Sequence, residues 1–246
     1  MRLLIIPLFM LLMLSGCSVV GSEVTHHSSN NEKKSVYVNE ELSLTAYLDS
    51  QNEKLSLADQ LSRQWAFEVE VASSSENRQK KISNCLDVFS ADREKNEPIN
   101  TYEFTPYRAV AVLCYAVDLV SRIKASTIQE IEKFELDKQI PERLPVEIAF
   151  IPSAKEKKKI LSEKAYQSWS DVNKIISVKS QGKDKSIYAI EGASQEITVF
   201  ARGDMDDNGT EDVLMHVINN SEGGTYSSTH LYLLSYSSLL ERFMLI

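Results

Sequence analysis

An α+β fold is predicted, with a disulfide-tied helical part followed by a mainly antiparallel β-meander part. Three observations predict it. Around Cys85 and Cys114 the apolar residues recur at steps of three and four, the spacing of one helix face. From Ile175 onward the period falls to two, in short segments separated by Gly, Asn and Ser. Between the two regimes lies a proline-marked change of character near Pro141. The helical part is expected over 39–140 and the α+β part over 141–246.

In the first part, Ala58, Leu61, Trp65, Val69 and Ala72 share a helical face, and Ser56 with Asp59 forms an N-cap pair. The stretch Glu68-Val69-Glu70-Val71 alternates as a strand would, so the second half of this segment is open. Ile82, Cys85, Leu86 and Phe89 sit at i, i+3, i+4 and i+7, which places Cys85 on a buried helix face. A polar loop from Ala91 to Tyr102 precedes Thr105-Pro106, an N-cap followed by proline at the first helical position. From Ala109 the run AVAVLCYAVDLV is almost wholly apolar. It falls short of the ~20 residues that span a bilayer, so it reads as a central core helix with Cys114 in its middle. Thr127 with Glu130 suggests a capping box for another helix ending near Lys138.

The second part begins with Leu144 to Pro152, an apolar strand bracketed by prolines. Ser153 and Glu156 form a capping box for a lysine-rich helix through Lys164, whose basic run reads as a solvated face. Six strands come next: Ile175–Lys179, Ser186–Glu191, Glu196–Arg202, Asp212–Ile218, Thr229–Tyr236 and Arg242–Ile246. Short connections between them favour an antiparallel meander. Trp65 and Trp169 are expected in the core.

The first eighteen residues have a different purpose. Arg2 precedes an apolar run from Leu3 to Leu14, the order of a secretory signal. The run closes on Leu14-Ser15-Gly16-Cys17, which resembles the lipobox of bacterial lipoproteins. That resemblance covers residues 1 to 18. It implies a signal peptide over 1–16, cleavage before Cys17, and acylation of that cysteine. Several acyl chains together hold a protein to a bilayer far better than one, at ~0.8 kcal/mol per buried methylene. Ser18 after the cysteine implies, for a Gram-negative cell, a place on the outer membrane facing the periplasm. Residues 17–38, rich in Ser, Asn, His and Lys, read as a flexible tether. His26-His27 within it reads as metal-free.

Composition narrows the partners. The chain has 27 basic and 35 acidic residues, a formal charge of -8. A basic face able to displace counterions is therefore not expected, which argues against nucleic acid. Of three cysteines, one is the anchor, and Cys85 and Cys114 remain as an even pair in an oxidising compartment. They are read as a disulfide, two buried free thiols being the alternative.

One segment carries chemistry. In Gly203-Asp204-Met205-Asp206-Asp207-Asn208-Gly209-Thr210-Glu211-Asp212, side-chain oxygens recur at Asp204, Asp206, Asn208 and Asp212. Calcium takes six to eight oxygens at ~2.3–2.6 Å. Carboxylates at every second residue of a curled loop converge on one point, and Gly209 permits the turn that aims the Thr210 carbonyl inward. The loop resembles the D-x-D-x-(D/N)-G-x-x-D calcium loops of integrin-type FG-GAP repeats, over about ten residues. It departs from an EF-hand, since Met215 stands at the twelfth position in place of glutamate. A single loop does not support a propeller. The alternative is a metal-free acidic turn, because Asp, Asn and Gly are also turn residues. Any calcium here is expected to be structural.

No catalytic residue is nominated. The chain has no G-x-S-x-G elbow, no phosphate loop and no H-E-x-x-H pair. His216 and His230, on neighbouring expected strands, are a weaker candidate pair. The expected role is a lipid-anchored, non-catalytic periplasmic binding protein that engages another protein of the envelope, as an inhibitor or immunity-type lipoprotein would. The alternative is an envelope hydrolase acting on peptidoglycan or another cell-wall component.

Overall fold

The computed structural model describes residues 36–49, 55–73, 79–128, 131 and 134–246. Cys17, the signal over 1–16, most of the tether with His26 and His27, and Glu130 lie outside the described residues. The described part belongs to one compact unit, Lys33–Ile246.

In chain order the elements are β1 (Tyr37–Val38), α1 (Leu57–Gln60), β2 (Val69–Ser73), β3 (Gln79–Ile82), α2 (Cys85–Arg93), β4 (Asn96–Pro98) and α3 (Phe104–Ser121). Then come α4 (Ile140–Arg143), α5 (Ala154–Ser162), α6 (Trp169–Val172), β5 (Ser177–Ser180), β6 (Lys185–Ile190), β7 (Ala193–Gly203), β8 (Asp212–Ser221), β9 (Ser227–Ser237) and β10 (Arg242–Leu245). Strands β5 to β10 form an antiparallel meander in the order of the sequence, and β1 pairs with the far end of β7 to complete a seven-stranded sheet. All six expected strands are present.

Period-two patterning gives this sheet two apolar faces. Val213, Met215 and Val217 of β8 pack with Ile197, Val199 and Leu234 against Trp169, Ile140, Leu144 and Ile148. Leu214 faces the other way, with Phe200 and Ala201, against a cluster that includes α3 residues Tyr107, Val110 and Val117. A bulge between Val199 and Ala201 places the adjacent Phe200 and Ala201 in the same cluster. The change of character near residue 140 is thus a change of layer. Most of the chain before it covers one face of the sheet, and the segment directly after it covers the other.

The expected Cys85–Cys114 disulfide is present, with Cα atoms 5.3 Å apart, and it ties α2 to α3. Both cysteines are buried. The apolar run is the long helix α3, as expected, and no described helix is long and apolar enough to cross a membrane. Helix α5 is also as expected, its N-cap Ser153 accepting from the Glu156 N–H.

Several expectations are corrected. The helix over 56–72 is a single turn, α1, capped by Ser56 as expected. Beyond it Trp65 bridges to Leu48, and in β2 the buried Val69 and Val71 flank exposed Glu70, with exposed Glu68 just before the strand. Burial at period two overrides the helical spacing. With β3 and β4 this strand builds a second, three-stranded sheet, so the first part is not purely helical. Part of the expected 91–102 loop is therefore strand. Leu86 is 54% exposed, because α2 buries Cys85, Val88 and Ala91 instead. Thr105 does not cap α3. A 3-10 turn at Thr101–Glu103 runs straight into it, and Pro106 sits in the first turn, where a missing N–H costs nothing.

Leu144–Pro152 is not a strand. Proline at 145 and 152 cannot donate to a ladder, and Val146–Ile148 forms a 3-10 turn instead. Among the described residues no helix lies between Ser121 and Ile140, and Glu130, the other half of the expected capping box, lies outside them.

Candidate metal centre

The acidic segment is the loop between β7 and β8. Its base is closed by the pairing of Gly203 with Asp212. Asp207 and Gly209 take positive φ, 65° and 84°, which curls the chain so that alternate side chains point inward. The Asp204 carboxylate accepts from the N–H groups of Asn208 (3.1 Å) and Gly209 (2.9 Å). Asp206 accepts from the Asn208 N–H at 3.1 Å and from its side-chain amide at 3.0 Å.

Oxygens of Asp204, Asp206 and Asp212 lie within 4.8 Å of one another. Two oxygens that share one ion at ~2.3–2.6 Å are up to about 5 Å apart, so the cluster matches a single hard cation. Asp204 and Asp212 are buried and Asp206 is exposed. Asn208 turns its oxygen to the Thr210 N–H at 2.6 Å, and no described residue donates to the Thr210 carbonyl. Of the five residues expected to hold calcium, the structure therefore gathers three carboxylates. It places Asn208 and Thr210 in the same loop.

Asp212 decides what this cluster needs. It is 0% exposed, and its Oδ2 accepts from the Met205 N–H at 2.9 Å. Its Oδ1 is buried and makes no well-formed hydrogen bond with any described residue, although the Ser235 hydroxyl lies near the carboxylate. Burial pushes this carboxyl above the ordinary aspartate range, opposed by the Met205 N–H and the Ser235 hydroxyl and reinforced by Asp206 and Asp204. A buried carboxylate oxygen without a donor is costly, and a cation beside it removes that cost.

The segment after α3 clamps the loop from outside. Lys124 and Asp204 exchange backbone hydrogen bonds of 3.0 and 2.9 Å. The Gly209 carbonyl accepts from the N–H groups of Thr127 and Ile128 and from the Thr127 hydroxyl. A side chain at Gly203 would meet the Lys124 carbonyl at 2.8 Å, so glycine is required for this approach. Lys124 also pairs with Asp207 at 2.5 Å, both exposed. Sequence reasoning missed Lys124 and Thr127, which are distant in the chain and carry no local signal for this role.

The two histidines do not form a pair. His216 is opposite Leu231 and His230 opposite Val217, so their rings lie on opposite faces of the sheet. His216 stacks on Phe200 and bonds Thr229, and burial lowers its pKa to about 4. Trp65 and Trp169 are buried, as expected.

Comparisons with protein-family models, curated proteins and solved structures find no match. The site is therefore read from its own chemistry.

Proposed function

We propose that this chain is a lipid-anchored, non-catalytic binding protein of the bacterial envelope, stabilised by one calcium ion and engaging another protein. The observation that carries the calcium reading is the fully buried Asp212, whose Oδ1 has no well-formed hydrogen bond from the described residues and lies beside two further carboxylates. Asp204, Asp206 and Asp212 would hold the ion, with the Asn208 side chain and the Thr210 carbonyl completing an all-oxygen set. The ion would supply charge compensation and a cross-link between β7, β8 and the clamp at 124–128. The lipobox-like Leu14-Ser15-Gly16-Cys17 supports the anchor, and an acyl group on Cys17 would hold the chain at the outer membrane, facing the periplasm.

Crosslinking in intact cells followed by affinity capture tests the binding role. The expected result is a stoichiometric protein partner, together with lipid on Cys17 in the N-terminal peptide by mass spectrometry. Turnover of cell-wall fragments by the purified chain, or an intact Met1 terminus in the membrane fraction, contradicts the reading.

A further inference from the structure

A second site lies away from the metal loop, where α5 and the chain before it cover the start of β9. It is a cavity of about 200 Å³ with Phe150, Lys157, Asn219, Tyr226, Ser228 and His230 in its lining. Pockets for drug-sized ligands run to roughly 300–1,000 Å³. This one has room only for an end group. The Phe150 and Tyr226 rings, with centroids 5.9 Å apart, give it an aromatic wall.

Its floor is a hydrogen-bond chain whose direction is fixed at one end. The Gln195 side-chain amide reaches the Ile148 carbonyl at 2.9 Å, so a nitrogen must face that oxygen. The same nitrogen donates to the Asn219 oxygen at 2.9 Å. Asn219 must then turn its own nitrogen to the Ser228 hydroxyl, 3.1 Å away. That hydroxyl lies 3.2 Å from His230 Nε2, and since it can accept twice either atom can be the donor. A neutral imidazole that accepts at Nε2 carries its proton on Nδ1. No described residue accepts from Nδ1. Burial, and then the nearby Lys157 ammonium, lower the His230 pKa and favour that neutral form.

With Ser228 as the donor to Nε2, the cavity presents a histidine N–H and a lysine ammonium next to an aromatic wall. Its roof, α5, carries Lys155, Lys157, Lys158 and Lys159 against Glu156 in a chain of net charge -8. We propose that this cavity binds a carboxylate borne on a small apolar or aromatic stem, such as the last residue of a peptide or a free small acid. Lys157 and His230 Nδ1 hold the carboxylate, and Phe150 and Tyr226 flank the stem. The proposal is independent of the calcium loop.

Calorimetric titration of the full chain tests it, with N-acetyl-glycyl-phenylalanine, its carboxy-terminal amide, and hydrocinnamate as probes. The expected result is saturable binding of the acid, at least about ten-fold weaker for the amide because one charge-assisted contact is lost. Lys157→Ala and His230→Gln should each weaken the acid by a similar factor. Lys157 is on a helix with no buried residues, so its variant should keep the wild-type melting temperature. Tighter binding of the dipeptide than of hydrocinnamate assigns the site to peptide ends, and the reverse assigns it to free acids. Equal binding of acid and amide, or no binding of either acid, overturns the proposal.

Discussion

Asp212 shows how one atom bears on the whole reading. A carboxylate held in the fold above its ordinary pKa costs stability at neutral pH, a cost that fades as acid protonates it in both states. Replacing it with asparagine keeps an acceptor for the Met205 N–H and removes the charge. In chelator, Asp212→Asn is expected to melt at or above the wild-type temperature. In calcium it should fall below wild type, because a ligand is gone. Melting curves under the two conditions check the crossover, and a variant less stable than wild type in both contradicts it. His216 gives the second test at this scale. Its pKa is lowered from 6.5 to about 4, so the unfolded chain binds the extra proton first. Its stabilisation is present above about 6.5 and is lost as pH falls through about 4, by at most ~3 kcal/mol. Denaturant titrations across that window should show a steeper acid loss for wild type than for His216→Gln.

At the scale of elements, the loop and its clamp are one device. Gly209 sits at φ 84°, and a Cβ there would lie 2.8 Å from the Thr127 hydroxyl oxygen. Gly209→Ala should therefore cost about 1–2 kcal/mol through strain and the displaced clamp, measured by denaturant unfolding. An unchanged midpoint would mean that the clamp is not tight. How legible each element is in the sequence depends on how many signals coincide there. Helix α5 combines a capping serine with a glutamate three residues on. The six strands combine period two with turn residues, and α3 is a long apolar run. Where signals conflict, tertiary packing decides. Residues 56–72 carry both helical spacing and alternation, and the buried Val69 and Val71 settle it for strand. Thr127 reads locally as a cap, yet it serves Gly209, 82 residues away. The acidic loop is legible because its oxygens are close together in the chain. Its clamp and the cavity under α5 are not, since the sheet register brings those residues together.

For the whole molecule, a seven-stranded sheet carries an apolar layer on each face, and one tie acts within the first layer while a second joins that layer to the sheet. The disulfide locks α2 to α3, and closing a loop of this span, a sequence separation of 29, contributes roughly 3.5 kcal/mol in the chain-entropy model. The second tie is the loop between β7 and β8, joined through Lys124 and Thr127 to the chain leaving α3. An ion bound there would act on both the sheet and its covering layer. The most direct test is the thermal melt of the wild-type chain in rising free calcium and in chelator. An ion that binds only the folded state stabilises it by mass action, so on this reading the melting temperature should climb with calcium and fall back under chelator. Asp206→Ala should abolish the response. Identical melts in millimolar calcium and in chelator, with no heat of binding by calorimetry, would show that the loop is only an acidic turn.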